Sequence, residues 1–315
     1  MTADDGQARL IAVDWGTSRL RVRLLADDGH VLASAESGDG IGQIDGGHEA
    51  AFERLCARWP KVPAIMAGMV GSRQGWREAA YAPCPADPRA LAAMMTRFET
   101  SGGRDAAIVP GLKVTPTAEN DGDVIRGEET QVIGLIDREP AFAGLCILPG
   151  THSKWARIAG GAIQEFRTFI SGELFALLSK TSFLRHSVAE GGGDLFASPD
   201  FQRGVERTVS EGAPFLSTLF SVRARQLLAN VDPRANLAYL SGLVIGGEIA
   251  AAMELRILDD DTPVRLVGAG GLGAGYRRAL AIAGFDAAAV DGDALVLEGL
   301  VHLAREIGFL PAVRS

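Results

Sequence analysis

The feature that most constrains this chain is a pattern that occurs twice, with its two copies about 134 residues apart. In the first copy an apolar segment beginning at Leu10 ends in Asp14-Trp-Gly-Thr-Ser, and alternating apolar residues follow. In the second copy Leu145-Cys-Ile-Leu runs into Pro-Gly-Thr-His-Ser before a further apolar segment. An apolar segment, a short turn and renewed alternation predict two β-strands joined by a tight connection. The duplication therefore indicates two halves of one architecture that face each other.

Composition limits the classes of protein to which the chain can belong. Its 315 residues suit one large domain or two moderate ones, and 47% hydrophobic residues exclude disorder. No uninterrupted apolar run reaches the roughly 18 residues of a membrane span, and a net charge of −8 without a basic stripe argues against nucleic acid. Three scattered cysteines indicate a reducing compartment, and the N-terminus lacks the apolar region of a signal peptide. We expect a cytoplasmic protein without nucleic-acid or membrane partners.

The first Gly-Thr turn is a candidate phosphate site. Gly16 allows the backbone to approach a ligand closely, and Thr17 and Ser18 offer amide and hydroxyl donors. Asp14, at the end of the preceding strand, can hold a hydrated Mg²⁺, which usually takes few carboxylates. The alternative is an ordinary hairpin turn with a hydrogen-bonded aspartate.

The second turn is the matching candidate, formed by Gly150, Thr151 and His152. Lys154 follows it and is one of four lysines in the chain. A lysine here can neutralise a transferring phosphoryl group as a point charge. The alternative is a solvated lysine on a strand edge.

A third glycine-rich segment begins at Gly268, after a predicted strand. Its Gly-x-Gly-x-x-Gly spacing fits the dinucleotide fingerprint, but the 42 residues after Gly273 are too few for a complete dinucleotide-binding domain. The segment is therefore predicted to hold adenosine, through Gly268, Gly270 and Gly271. The alternative is close packing of a helix on a strand.

Two polar segments provide candidates for the remaining chemistry. Asp121 and Asp123 precede a predicted helix, and either can accept a proton from a substrate hydroxyl, with helix capping as the alternative. In the loop from Gly68 to Trp76, Ser72 and Trp76 can contact a polyol, and Arg73 can pair with a carboxylate. A surface connection with a packed tryptophan is the alternative for that loop.

Six segments, taken together, resemble the 2-dehydro-3-deoxygalactonokinase family of the sugar kinase, heat-shock ATPase and actin superfamily. They occur in the family's order and extend over nearly the whole chain. The segments are Asp14-Trp-Gly-Thr-Ser, Gly68-Met-Val-Gly-Ser, Asp123-Val-Ile-Arg-Gly-Glu-Glu-Thr-Gln, Leu148-Pro-Gly-Thr-His-Ser-Lys-Trp, Thr168-Phe-Ile-Ser-Gly-Glu-Leu-Phe and Gly242-Leu-Val-Ile-Gly-Gly-Glu-Ile. Arg19 departs from the smaller polar residue expected after the first turn.

The resemblance implies an α/β fold of two ribonuclease-H-like, actin-like ATPase domains, residues 1–142 and 143–315, flanking a nucleotide and substrate cleft. It further implies ATP- and Mg²⁺-dependent phosphorylation of 2-dehydro-3-deoxy-D-galactonate at its C6 hydroxyl, in galactonate or galactose breakdown. Asp123 leads one of the matching segments, so it is preferred over Asp121 as the base. A kinase for another sugar acid or hexose, a nucleotide-gated regulator and an NAD(P) oxidoreductase are the alternatives. A homodimer is left open.

Overall fold

The computed structural model describes residues 8–118, 121–191, 194–268 and 270–312. The strands are β1 Ala8–Trp15, β2 Leu20–Ala26, β3 Val31–Ser37, β4 Ala64–Gly68, β5 Tyr81–Pro83, β6 Thr96–Glu99, β7 Asp105–Ile108, β8 Gly111–Val114, β9 Asp123–Ile125, β10 Gly144–Leu148, β11 Ser153–Ala159, β12 Ala162–Phe169, β13 Val264–Val267 and β14 Ala287–Val290. The α-helices are α1 His48–Cys56, α2 Pro88–Ala93, α3 Glu128–Arg138, α4 Ser171–Lys180, α5 Pro199–Val209, α6 Phe215–Leu219, α7 Ser221–Ala229, α8 Pro233–Glu254, α9 Leu272–Ile282 and α10 Gly292–Glu306. Short 3₁₀ helices cover Met69–Gly71 and Phe183–Ser187.

The chain divides into two compact units that are not continuous in sequence. Unit 1 contains Met1–Phe142, Ile158–Glu165 and Gly292–Ser315, and unit 2 contains Ala143–Arg157 and Phe166–Asp291. The predicted second domain ran from residue 143 to residue 315, whereas the structure groups the segment from Gly292 onward with unit 1.

Packing between α3 and α10 explains why the end of the chain belongs to unit 1. Each helix presents a glycine to the other at the point of closest approach. A Cβ at Gly134 would overlap the carbonyl of Leu295, and a Cβ at Gly299 would overlap the carbonyl of Thr130. Such close backbone contact depends on glycine in both helices, and the sequence pattern of either helix alone does not show it.

The main sheet of unit 1 has six strands in the order β3-β2-β1-β4-β7-β6. Strand β1 is antiparallel to β2 and parallel to β4, so Asp14 lies opposite Ala67 and Trp15 lies opposite Gly68. The carboxyl ends of β1 and β4 thus meet at one edge of the sheet, where both strands lead into predicted site loops. Strands β5, β8 and β9 form a separate three-stranded sheet.

The sheet of unit 2 has five strands in the order β12-β11-β10-β13-β14. Its first strand in sequence, β10, has the second strand on one side and the parallel strand β13 on the other. Strand β14 is parallel to β13. The arrangement repeats the order found around β1 in unit 1, and the predicted α/β fold with two related halves is confirmed.

The sequence from Pro88 to Phe98 predicts a single helix over these residues, but α2 stops at Ala93, because Thr96–Glu99 forms β6 and pairs antiparallel with β7. Within the described residues, α8 is the one helix long and apolar enough to cross a membrane by length and composition alone. Most of α8 is buried inside the protein, and the core helix of a globular domain has the same composition.

Candidate nucleotide and sugar-acid site

The first turn lies at the carboxyl end of β1 and leaves its donors accessible. The Gly16 amide donates to the carbonyl of Arg19 at 3.0 Å, which closes the turn. Thr17, Ser18 and Arg19 are exposed. The turn therefore presents hydroxyl groups at the same sheet edge as Asp14.

The segment after β3 folds back onto this turn and fixes its backbone. The amide of Ile41 donates to the carbonyl of Gly16, and the amide of Gly42 donates to the carbonyl of Thr17, both at 3.1 Å. A Cβ at Gly40 would overlap the Thr17 carbonyl, so only glycine allows the approach. The residues around Gly40 carry no local pattern that predicts this role.

The second turn is supported in the same way by the segment after β12. A Cβ at Gly172 would overlap the carbonyl of Gly150, and the Glu173 amide donates to the carbonyl of Thr151 at 2.9 Å. The two repeats therefore share a glycine, following the third strand, that seats the chain on the turn. Gly172 also lies in a segment that the family resemblance covers.

Charged side chains distinguish the second turn from the first. The Nζ of Lys154 is hydrogen-bonded to the carbonyl of His152 at 2.6 Å, and the residue is only 5% exposed. The buried position rules out a solvated lysine on a strand edge. His152 Nε2 lies 2.6 Å from Glu173 Oε2, in an exposed pair that orients the imidazole.

Asp14 is a half-buried carboxylate with a basic neighbour. Its Oδ2 lies 3.2 Å from Nη1 of Arg21, and the same nitrogen lies 3.3 Å from Oδ1 of Asp293. Burial raises the pKa of Asp14 above its ordinary value, and the charge and hydrogen bond of Arg21 oppose that rise. Within the described ranges, no three His, Cys, Asp or Glu residues converge into a metal cage. A single carboxylate suits Mg²⁺, which keeps several waters and binds substrate phosphates.

The glycine-rich loop connects β13 to α9 with backbone conformations that favour glycine. Gly268 has φ of +97° and Gly271 has φ of +54°, both in the left-handed region. Gly270 and Gly271 are exposed, and α9 begins at Leu272. The predicted turn before a helix is therefore present, and its exposed backbone can contact a ligand.

An apolar pocket in unit 2 brings two of the predicted nucleotide segments together. Its wall includes the start of α4, which seats the second turn, and the start of α9, which follows the glycine-rich loop. The remaining wall comes from α8 and from the segment before α5. The lining residues are Ser171, Gly172, Phe175, Leu195, Phe196, Ser241, Val244, Ile245, Leu272 and Tyr276.

The two candidate bases occupy different positions. Asp121 is exposed and lies outside any strand or helix, whereas Asp123 is the first residue of β9. Oδ1 of Asp123 accepts from the Val124 amide at 2.7 Å, and the N-cap position of α3 is occupied by Gly127. Glu119 and Asn120, in the same polar segment, lie outside the described residues.

A buried carboxylate with a strongly raised pKa lies at the start of α3. Glu129 accepts from the Gly127 amide at 2.6 Å and from the Thr130 hydroxyl at 3.2 Å. Burial, followed by the charge of Glu128, raises the pKa of Glu129 from 4.5 to about 7. Two consecutive glutamates at the start of an apolar helix are the sequence signal for this group.

The three predicted substrate residues in the loop after β4 differ in their exposure and in their contacts. Ser72 is buried, and its hydroxyl has no hydrogen-bond partner within the described chain. The side chain of Arg73 is 84% exposed and pairs with Glu78 at 3.2 Å. Trp76 packs in the core of unit 1, and its ring lies 5.1–6.3 Å from three neighbouring aromatic rings. The structure therefore gives Trp76 a packing role.

Arg126 is a candidate that sequence reasoning missed. Its Nη2 donates to the carbonyl of Ala79 at 2.7 Å, and its guanidinium lies 4.3 Å from the centre of the Tyr81 ring. Its Nε and Nη1 are buried, and among the described residues neither has a partner. A Cβ at Gly71 would lie 2.8 Å from Nη1, so this nitrogen is close to the loop that carries Ser72.

Comparison with known proteins identifies the family. The family model described as 2-keto-3-deoxy-galactonokinase matches residues 14–303 of this chain. A protein of Rhizobium meliloti (strain 1021), named as a probable 2-dehydro-3-deoxygalactonokinase, is 41% identical over 307 residues, which cover 94% of this chain and 96% of the relative. The 2-dehydro-3-deoxygalactonokinase of Escherichia coli (strain K12) is 35% identical over 305 residues, covering 95% and 99%.

A solved structure agrees with these relatives. The crystal structure of a Sinorhizobium meliloti protein assigned as a 2-dehydro-3-deoxygalactonokinase has a TM-score of 0.89 and 40% identity. The match covers 95% of this chain and 99% of that protein. The prediction of a sugar-acid kinase is thereby confirmed, and the chain belongs to the 2-keto-3-deoxy-galactonokinase family.

Proposed function

We propose that this chain transfers the γ-phosphoryl group of ATP to the terminal C6 hydroxyl of 2-dehydro-3-deoxy-D-galactonate, in galactonate or galactose breakdown. Membership of a kinase family implies the use of ATP. The observation that carries the proposal is the apolar pocket of unit 2, whose wall contains the helices that follow the second turn and the glycine-rich loop. An apolar pocket with a few polar groups suits a flat heterocycle, and exposed backbone beside it suits phosphates.

Electrostatics supply the remaining requirements for phosphoryl transfer, which depends mainly on positioning and charge stabilisation. Thr17 and Ser18 are proposed to bind phosphate oxygens from one turn, and Thr151 and His152 from the other. Lys154 provides a buried positive charge beside the second turn. Asp14 would hold Mg²⁺, which when bound neutralises charge on the phosphate oxygens.

Asp123 is proposed to accept the proton of the attacking hydroxyl, with Asp121 as the rival. Its carboxylate is held at the start of β9 by the Val124 amide, and an oriented carboxylate is better placed for proton transfer than an exposed one. Glu129, with its raised pKa, is the group to which this role would pass if both aspartates proved dispensable.

The sugar acid requires a cation for its carboxylate and polar groups for its hydroxyls. Ser72, Arg73 and Trp76 remain the predicted contacts. Arg126 is a second candidate for the carboxylate, because two of its N–H groups are buried beside the Ser72 loop and lack acceptors within the described chain. A guanidinium binds a carboxylate through paired N–H donors.

A cytoplasmic location is part of the proposal, and free thiols support it. Cys56, Cys84 and Cys146 are unpaired, as expected in a reducing compartment. Burial raises the pKa of the Cys84 thiol to about 11, so this thiol stays protonated. Light scattering would distinguish a homodimer from a monomer.

The deciding experiment is an ADP-release assay across a panel of sugar acids and hexoses. We expect the highest kcat/KM with 2-dehydro-3-deoxy-D-galactonate, and a product whose phosphorus couples to the C6 protons in NMR. A higher kcat/KM for a hexose would favour another kinase specificity. No ADP release with any acceptor, together with tight nucleotide binding, would favour a regulator, and binding of NAD(P) in a fluorescence titration would favour an oxidoreductase.

A further inference from the structure

A buried carboxylate in α8 connects the two nucleotide segments of unit 2. We propose that Glu248 is a positioning residue for ATP, which holds the second turn and the helix after the glycine-rich loop in one fixed relation. This inference rests on the proposed nucleotide site. Neither the sequence pattern nor the family match assigns Glu248 a role.

The geometry around Glu248 satisfies both of its oxygens. Oε1 accepts hydrogen bonds from the Ser153 hydroxyl and from Nε1 of Trp155, the latter at 2.6 Å. Oε2 accepts from the Tyr276 hydroxyl at 2.7 Å. The residue is only 3% exposed, and all three donors are buried as well. A buried carboxylate that lost a donor would pay a large desolvation penalty, so each donor is held firmly.

The donors come from the segments that the proposed site requires. Ser153 is the first residue of β11 and directly follows His152 of the second turn. Tyr276 lies in the first turns of α9 and lines the apolar pocket. Burial, and then the charge of Glu248, raise the pKa of Tyr276 well above 10, so its hydroxyl remains protonated and donates. One carboxylate thus links the turn, the pocket and the start of α9.

Removal of single hydroxyl groups tests this link with little change in shape. We expect Ser153→Ala and Tyr276→Phe each to raise the Kd for ATP about tenfold, since a hydrogen bond to a charged group has roughly that effect. The double variant should be much less than a hundredfold weaker, because both donors act through the same carboxylate. The KM for the sugar acid at saturating ATP should stay within about twofold, because Glu248 is proposed to act on ATP binding alone.

The same unit provides a matched control pair. The Ser221 hydroxyl lies 3.0 Å from the Tyr239 hydroxyl, and neither residue lines the apolar pocket. Ser221→Ala and Tyr239→Phe are the same two side-chain changes at a hydrogen bond between two neutral hydroxyls, and we expect them to lower the thermal midpoint while leaving the Kd for ATP unchanged. Calorimetry with ATP in the absence of sugar acid gives Kd for all five proteins and the wild type.

The outcomes separate this inference from the proposed function. If Ser153→Ala and Tyr276→Phe lower the thermal midpoint but leave Kd unchanged, as the control pair should, Glu248 is only a structural residue. Glu248→Gln, which keeps the volume and one acceptor oxygen, is the second variant if either deletion fails to fold, and an unchanged Kd there also overturns the inference. Absence of ATP binding by the wild type would instead overturn the proposed function and this inference with it.

Discussion

The two units satisfy their buried polar groups to different degrees. In unit 2, Glu248 has a donor for each oxygen, and the amide nitrogen of Asn236 donates to two carbonyls at 3.0–3.1 Å. In unit 1, the Ser72 hydroxyl and two nitrogens of Arg126 have no partner within the described ranges. Unit 1 also contains Glu129, whose pKa is raised to about 7. Among the described residues, buried side-chain atoms without partners are more numerous in unit 1, and unit 2 contains two, Oδ1 of Asn236 and Nε of Arg225.

This difference indicates which part of the reaction each unit serves. Satisfied networks hold a fixed geometry, which suits a site that must keep ATP in one orientation. Unsatisfied donors and a carboxylate with a raised pKa cost stability, and they are most often found where a ligand or a proton is exchanged. We therefore associate unit 2 with the adenosine part of ATP and with one phosphate turn, and unit 1 with the sugar acid, the proton and the other phosphate turn.

The largest expected effect tests whether unit 1 provides the base. Asp123→Asn keeps the shape of the side chain but cannot accept a proton, so kcat should fall by about 10²–10⁴ while both substrates still bind. Asp121→Asn should cost much less, because Asp121 is exposed and outside regular structure. Steady-state assays with calorimetric binding measure both. The reverse pattern would reassign the base to Asp121, and two active variants would move it to Glu129, Glu128 or solvent.

The second prediction tests how much stability the protein loses when the buried Glu129 carboxylate ionises. A folded-state pKa of about 7 against an ordinary 4.5 means that the folded protein binds this proton more tightly, so stability is lost as pH rises between those values. Glu129→Gln removes this loss, and its advantage over wild type should grow with pH to about 3 kcal/mol. Thermal midpoints of both proteins from pH 4 to 8 measure the difference. A difference in thermal midpoint that does not change with pH would show that the pKa of Glu129 is not raised.

The third prediction concerns the acid that the first turn has and the second lacks. Asp14→Asn should lower kcat at limiting Mg²⁺ by about 10- to 100-fold, the range typical of a weakened metal site. Glu36→Gln is the control, because Glu36 lies 3.8 Å from the same Arg21 and is more exposed than Asp14. Activity is measured across a Mg²⁺ titration. Wild-type turnover of Asp14→Asn at low Mg²⁺ would remove Asp14 from the metal site.

The fourth prediction compares two arginines of unit 1 as partners of the substrate carboxylate. Arg126→Lys keeps the charge but loses the paired donors, and we expect it to raise the KM for the sugar acid by about tenfold or more. Arg73→Ala should raise it less, because Arg73 is exposed and already paired with Glu78. The KM for ATP is the control and should hardly change in either variant. A larger effect on ATP would place the arginine on the nucleotide side.

The smallest expected effects test a feature that the two units share. Gly40→Ala and Gly172→Ala each force a methyl group into the carbonyl of a turn, and we expect a loss of about 1–3 kcal/mol of stability in both cases. Gly38→Ala is the control, because nothing lies within 4 Å of its Cβ position. Thermal unfolding measures all three. A loss confined to one of the two glycines would mean that the turns are not supported alike.

Local patterns predicted the elements of the fold well, because they depend on neighbouring residues. The strands on both sides of each Gly-Thr turn and the start of α3 at Glu128 follow from alternation and from acidic residues before an apolar run. The strand at Thr96–Glu99 escaped prediction, because its pairing with β7 is set by residues elsewhere in the chain.

The missed parts of the site all depend on long-range contacts. Glu248 accepts hydrogen bonds from residues 28, 93 and 95 positions away in the sequence, and Arg126 donates a hydrogen bond to a residue 47 positions away. The local sequence around Glu248 shows a glutamate in an apolar segment, and around Arg126 an arginine beside a glycine. Neither pattern indicates which distant residues the side chain contacts. Trp76 is a different case, since local sequence gave no sign that its partly buried ring packs against the core of unit 1, and its contact with substrate stays a prediction.

The return of α10 to unit 1 has a consequence for how the protein is made. Residues 143–291, which contain all of unit 2, leave the ribosome before α10 does. Until then α3 lacks the helix that covers Gly134, and its apolar face stays open to water. Unit 1 is thus begun before unit 2 and completed after it, so the half to which we assign the sugar acid cannot finish folding until the half to which we assign adenosine has been synthesised.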